Sequence, residues 1–519
     1  MARKYGPRRG ALGEILQRIV GGILAGDGTR LTPRDQLRGA DEALREAMKQ
    51  LRRQRRRRST GLGGNAVVRA SKNRHIKDHS RRRLKAFRAA LRRDPRMRID
   101  ADLLDTKYRS CEVLDTLVPN RRELWKGILQ RPNDRVEIVD LKKFSFLDDP
   151  AAALAGLKRL GQAEARAKQA RLNFKDDHCE DAGAFLVLAE IWPRMARIFK
   201  GGEMAPAVQR VLTATGVSEH NNMLTLATIR ARAKGEEAHP DVWAYPLQRR
   251  RPANTSKSPT QHLDSQAREK AADRLSSWLD DCLGESANLE LTDKGRAQLA
   301  MIMGEALCNA ERHSQPQSDD GGWSITAFME RLEDERGLSS YRCMVAFLSI
   351  GQSISESLRT AADDVRTKLY QFQSMHARCG RSPETLATVF ALQDTITCDP
   401  AAREARSGGT GLQDILDFVS VIGAARLASN GPRVTIVSGR SCIRLKDPYI
   451  RGRRAEADGY SPRLLWLNES NTMDCPPDDQ YAFDLPDRLA GTLVSIAFTI
   501  DQEFLVQQLE SERDDRDRS

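Results

Sequence analysis

Gly304-Glu305-Ala306-Leu307-Cys308-Asn309-Ala310-Glu311-Arg312-His313-Ser314 is the stretch on which the reading of this 519-residue chain turns. At a helical advance of about 100° per residue, Glu305, Asn309 and His313 fall within about 80° of one another. Leu299, Met303, Leu307 and Ala310 gather on the adjoining flank, so one helix carries a polar stripe beside an apolar one. A carboxylate one turn from an amide oxygen can orient a water with the first group and hold a magnesium ion with the second. The same spacing also occurs on solvated helices, so the downstream sequence has to separate the two readings.

Two glycine-bearing bends follow. Ala346-Phe347-Leu348-Ser349-Ile350-Gly351-Gln352-Ser353-Ile354 predicts a strand running into a glycine turn and then a helix from about Ser355. Ser407-Gly408-Gly409-Thr410-Gly411-Leu412 leads into a predicted helix over 413–419. Glycines at such points admit positive φ and close approach of backbone to a ligand, while amides opening the next helix face anions. After the second bend, 434–438 and 441–445 predict a hairpin, and Gly491-Thr492 introduces a final strand over 493–500.

The helix, the two bends and their order resemble the GHKL superfamily of ATP-binding domains, which includes sensor histidine kinases, gyrase-type ATPases and serine kinases that act as anti-sigma factors. The resemblance covers 265–505. It implies a C-terminal α/β sandwich of the histidine-kinase-like ATPase type, with ATP and Mg2+ as ligands. Glu305 matches the family's general base, Asn309 its magnesium-ligating asparagine, and His313 the position one turn on. Ser349, Gly351 and Ser353 of the first bend, Gly408, Gly409, Thr410, Gly411 and Leu412 of the second, and Thr492 are then expected around the nucleotide. One position departs from the pattern. Where the family has an aspartate that accepts a hydrogen bond from the adenine amino group, this chain has Ser349. A hydroxyl accepts without charge, so weaker or less adenine-specific binding is expected. ATP-driven dimerisation is common in the superfamily, which makes a homodimer an expectation. No phosphoacceptor-histidine segment precedes the domain, and neither a lysine-bearing P-loop nor a serine-centred nucleophile elbow is visible.

Upstream, 101–247 has the composition of a smaller α/β module. Strands are predicted at 136–141 and 170–174, and helices at 150–170 and 182–198, the last opened by Asp176, Asp177, Glu180 and Asp181. Leu172-Asn173-Phe174, a polar turn, and a helix through Phe185 and Leu188 resemble STAS modules of bacterial anti-sigma-factor antagonists over about 60 residues, which implies a protein partner. Phosphorylation-controlled members present a serine or threonine at that turn. Here it reads Cys179-Glu180-Asp181, and no phosphorylation is predicted.

Charge is spread unevenly. Residues 1–100 hold 29 Lys+Arg and 9 Asp+Glu, a net of +20, which leaves (84 − 29) − (71 − 9) = −7 on the remainder and accounts for the total of +13. Arg52, Arg53, Arg55, Arg56, Arg57 and Arg58 form one cluster, and Arg81, Arg82 and Arg83 open another. Such clusters bind phosphate backbones by counterion release, so DNA or RNA is an expected partner of a basic arm, helical or partly disordered, over 1–100. Tyr5 and Phe87 are its only aromatic residues, which argues against base stacking as its main mode. His75 and His79 are four apart, but Lys72, Arg74, Lys77 and Arg81 around them repel cations. A solvated tail would carry the same charge run, and acidic proteins or membrane surfaces would also attract it.

Composition sets the outer bounds. The length predicts two or three folded units, with a linker at 248–264 and a charged tail at 506–519. No apolar run of about 20 residues is present, and Glu14 and Arg18 interrupt the apolar stretch 11–26, so neither a membrane span nor a secretion signal is expected. Nine scattered cysteines without a Cys-x-x-Cys pair fit a reducing cytoplasm and disfavour a structural zinc site. The sequence thus points to a regulatory or defence-type protein whose ATP domain is a slow hydrolase or switch. The alternative is a nucleic-acid-binding or scaffolding protein with a degenerate nucleotide site.

Overall fold

The computed structural model describes residues 108–126, 136–220, 241–250, 267–314, 321–333, 339–394, 396, 411–423, 431–450, 453–454 and 463–500. The arginine clusters at 52–58 and 81–83, the bend residues Gly408, Gly409 and Thr410, and the tail lie outside them. In chain order the elements are α1 (Glu112–Leu117), α2 (Arg121–Lys126), β1 (Glu137–Leu141), α3 (Pro150–Arg166), β2 (Ala170–Phe174), α4 (Ala182–Met195), β3 (Phe199–Glu203), α5 (Pro206–Ala214), α6 (Val217–His220) and β4 (Val242–Arg250). They continue as α7 (Ala267–Ala287), α8 (Asp293–Ser314), β5 (Trp323–Glu333), β6 (Ser339–Ser349), α9 (Ile354–Leu358), α10 (Asp363–Met375), α11 (Pro383–Ala391), α12 (Gly411–Ile422), β7 (Arg433–Leu445), β8 (Arg453–Arg454), β9 (Arg463–Leu464) and β10 (Ala482–Ile500).

The class is mixed α/β, with one parallel and one antiparallel main sheet. A five-stranded antiparallel sheet in the order β4-β5-β6-β10-β7 lies between two cores. On β6, Cys343, Val345 and Phe347 enter one core while Met344, Ala346 and Leu348 enter the other. A strand covered on both faces therefore reads as an unbroken apolar run, because its period of two has no solvent side to mark with polar residues.

One core joins the sheet to the upstream module. There β1, β2 and β3 form a parallel sheet in sequential order, packed against α3 and α4. The acidic turn read ahead of α4 holds backbone: Asp181 caps the helix by accepting from Gly183 N at 2.7 Å and Ala184 N at 3.2 Å, and it also accepts from Phe146 N at 2.7 Å. Asp176 accepts from Lys143 N and Phe144 N at 2.7 and 2.8 Å. Helix α4 then lies on β5, β6 and β10, and Arg342 of β6 reaches Glu180 at 2.7 Å. The second core lies under α7, α8 and α10–α12.

Two details differ from the sequence reading. Gln248, Arg249 and Arg250, which have linker composition, are the end of edge strand β4; Arg250 donates to Gly321 O at 2.6 Å and pairs with Glu311 at 3.3 Å. An edge strand tolerates such charge because one side of it faces no neighbour, and its Pro246 falls within a register shift between Tyr245 and Gln248. The hairpin expected at 434–445 is instead one strand, β7, both halves of which pair with β10. Gly439, at φ +63°, lets that strand bend through the bulge without turning back.

Candidate functional site

Helix α8 is set by its start, its inner face and its last turn. Thr292 accepts from Gly295 N at 3.1 Å through its hydroxyl, and Asp280 of α7 ion-pairs with Arg296 and accepts from Leu291 N at 2.7 Å. Leu299, Ile302, Met303 and Leu307 are buried against the second core. At the far end Glu311 accepts from the indole nitrogen of Trp323 at 2.8 Å and meets Arg250 and Arg268, which consumes its charge structurally. Glu305 and Asn309 are half-buried, and among the described residues neither has a hydrogen-bond or ion-pair partner. His313 lies with its backbone in the last turn of α8, and its side chain is outside the described residues.

Strand β6 runs out at Ser349, and the chain bends through Gly351 at φ +140° into α9. Ser353 caps α9 in a reciprocal arrangement: its hydroxyl accepts from Glu356 N at 3.3 Å, and Glu356 accepts from Ser353 N at 2.8 Å. In the sheet, Thr492 stands between Ser349 on β6 and Ser438 on β7, so three hydroxyl residues lie abreast on three adjacent strands. Ser438 and Thr492 bond at 2.7 Å, and Ser438 accepts from Ile354 N at 2.8 Å. Gly491, at φ +100°, precedes Thr492; a Cβ there would lie 2.0 Å from the Ser349 carbonyl oxygen.

The bend is clamped by Arg488, which projects from the irregular part of β10. It donates to the Ser353 hydroxyl at 3.3 Å and pairs with Glu356 at 2.7 Å and Glu384 at 2.6 Å. Burial pushes the Glu356 carboxyl up, but the Ser353 amide and hydroxyl and the charge of Arg488 together hold it below the usual range. Glu112 of α1 is raised by burial and then by the charge of Glu356. No spacing rule pointed to Arg488, Ser438 or Glu384. Ser438 and Arg488 reach the bend because β10 pairs with β6 and β7 with β10, and Glu384 meets Arg488 from helix α11.

For the second bend, the described residues begin at Gly411 and Leu412, whose backbone opens α12. The first turn of that helix is fixed by Gln413, which donates to Leu392 O at 2.7 Å and Arg463 O at 3.0 Å, and by Arg463, which donates to Gln413 O at 2.8 Å and ion-pairs with Asp417. Helix α8 packs against α12, β6 and α9, so the polar-striped helix touches the element before the first bend and the elements after both. Between the bends, the described segment 360–394 is folded onto the domain. Its helices α10 and α11 enter the second core, where Phe372 and Trp466 have ring centroids 5.0 Å apart.

No family model matches the chain, and no curated protein and no solved structure matches it. Among the described residues no group of three or more His, Cys, Asp or Glu could hold a metal ion by itself, and no helix is long and apolar enough to cross a membrane. What the arrangement offers chemically is an uncommitted carboxylate and amide, one turn apart on a helix packed against two glycine-initiated elements.

Proposed function

We propose that this chain binds ATP with Mg2+ at the face where α8 packs on the elements that flank the first bend and follow the second, in a domain of the GHKL type, and acts as a slow ATPase or nucleotide switch. The observation that carries the reading is the packing of α8 against β6 and α9, which flank the first bend, and against α12, which follows the second bend much further along the chain. That the side chains of Glu305 and Asn309 have no hydrogen-bond or ion-pair partner among the described residues fits residues kept for a ligand. Asn309, a single neutral oxygen ligand, suits Mg2+, which takes few protein ligands and completes its shell with phosphate oxygens and water. Bound there, the metal would supply charge neutralisation at the triphosphate. Glu305 would orient water or a hydroxyl, and Gly351, Gly409 and Gly411 would shape the pocket.

The decisive experiment measures nucleotide binding and turnover separately. Wild type should bind ATP with magnesium and hydrolyse it slowly, while Glu305→Gln should bind but turn over at least 100-fold more slowly, within the range of general-base contributions. Absence of adenine-nucleotide binding at millimolar concentration would remove the proposal.

The +20 net charge of residues 1–100 favours an additional activity, nucleic-acid binding by the basic arm. Deleting those residues should abolish salt-sensitive DNA or RNA binding; unchanged affinity would refute it.

A further inference from the structure

Among the described residues four strands end the two main sheets, β1 and β3 in one and β4 and β7 in the other. Open edges invite foreign strands, so folded proteins blunt them with prolines, bulges or kinks. Three of these edges are blunted in that way. Strand β3 carries Gly201 at φ +105° and a register shift against β2, β4 has Pro246 inside a register shift, and β7 bends at Gly439. Strand β1 is not blunted. It pairs with β2 in unbroken register over Glu137–Leu141, and it leaves Val136 43% and Ile138 61% exposed.

The hydrogen bonds of β1 show which of its backbone groups are left over. Glu137 N donates to Gln169 O at 3.1 Å and Leu141 O accepts from Lys175 N at 2.8 Å, so the odd-numbered residues face β2. Alternation turns the N–H and C=O groups of Ile138 and Asp140, and of Val136 just before the strand, to the open side. Among the described residues none of these backbone groups has a partner there.

We propose that this edge pairs with the same edge of a second copy, antiparallel about a two-fold axis at Ile138, joining the three-stranded sheets of the two copies into one. The outward positions are spaced evenly about Ile138, so the copy meets every donor with an acceptor. Ile138 exchanges bonds with its counterpart and Val136 with Asp140 of the other copy, about six bonds in all. The side chains agree with that register. Ile138 lies against Ile138, and Val136 extends the apolar stripe on either side of the axis. Glu137 falls opposite Val139 and Asp140 opposite Val136, so no like charges face each other. A slide of two residues sets Ile138 against Asp140 in one direction and leaves Asp140 unmatched in the other. A second copy brings the match with it, because the edge is its own complement. This contact involves no nucleotide, unlike the ATP-driven dimer that the family resemblance implies.

The test is the association state of the full chain without nucleotide, by sedimentation, with amide hydrogen exchange on the same samples. Wild type should form a dimer in the micromolar range, as a small interface allows. Its Ile138 and Asp140 amides should exchange at least about tenfold more slowly in the dimer than at dilutions where it dissociates. Ile138→Pro should weaken association at least about tenfold, and because the lost N–H lies on the open side, the ladder with β2 keeps its bonds. Ile138→Lys, which blunts the edge with charge, should do the same and serves if circular dichroism shows the proline variant unfolded. A monomeric wild type at about 100 μM would overturn the proposal. So would a dimer that survives the substitution, or one whose two amides exchange freely, which would leave the edge to a strand of another protein.

Discussion

Arg488 and Glu356 meet at 2.7 Å across 132 residues of sequence, and the same guanidinium holds Glu384 at 2.6 Å. This one side chain ties the irregular part of β10 to the first bend and to the start of α11. Because the pairs are partly exposed, their worth is modest and their geometry matters more.

Arg488→Ala should lower stability by about 1 to 2 kcal/mol in urea unfolding, since it takes from Glu356 and Glu384 the cation they share. Arg488→Lys should recover part of the loss, because an ammonium restores charge but not the fork that reaches both acids. An unchanged unfolding midpoint for the Ala variant would show the clamp to be idle.

Gly491→Ala should be more severe. Its Cβ would lie 2.0 Å from the Ser349 carbonyl oxygen, and φ +100° disfavours any L side chain. Backbone cannot yield as a flexible side chain does, so a loss of 2 kcal/mol or more, at least about that size, is expected in chemical denaturation. Wild-type stability in this variant would contradict the close approach of β10 to the bend.

Arg121 and Glu164 form a buried ion pair in the upstream module at 2.8 Å, each side chain 1% exposed. Glu164→Leu removes two of the charged contacts of a buried guanidinium that keeps Asp115 at 2.7 Å and the Arg109 carbonyl at 3.1 Å, so it should cost about 2 to 3 kcal/mol. The double variant Arg121→Met with Glu164→Leu should be less destabilised than the single one, with both measured by thermal melting. Equal loss in the two proteins would show that the charge left on Arg121 is not the source of the cost.

Asp181 gives a pH signature. Burial pushes its carboxyl up to about 6 from the ordinary 3.8, against the opposing pull of the Gly183, Phe146 and Ala184 amides. Between these values the folded chain keeps a proton that the unfolded chain has released. Stability from this group is therefore fully present below about pH 4 and declines as pH rises towards 6, by about 3 kcal/mol. Asp181→Asn, which still caps α4, should erase that decline. Wild type minus variant, compared by urea unfolding at pH 4.5 and 7, should become less favourable to wild type at the higher pH, and a difference independent of pH would refute the buried proton.

Local order was written in the sequence wherever one face or one cap dominates. The strand 170–174, the helix begun by Pro150, the amphipathic α8 and the turn after Ser349 follow from period, proline and glycine, which act over a few residues. Two features misled because their meaning depends on neighbours. Arginines at 249 and 250 resemble a linker until β5 pairs with them, and Gly439 resembles a turn until β10 pairs on both sides of it. Tertiary structure alone decided which distant groups share the first bend. Thr492 and Ser438 arrive there through sheet register, Arg488 through the irregular stretch of β10 and Glu384 through the packing of α11, and all depend on partners that no local pattern encodes. It also decided which polar atoms are spent and which are left over. Glu311 is consumed by Trp323 and two arginines, whereas Glu305, on the same helix, meets no such partner among the described residues, because only packing determines what each carboxylate meets.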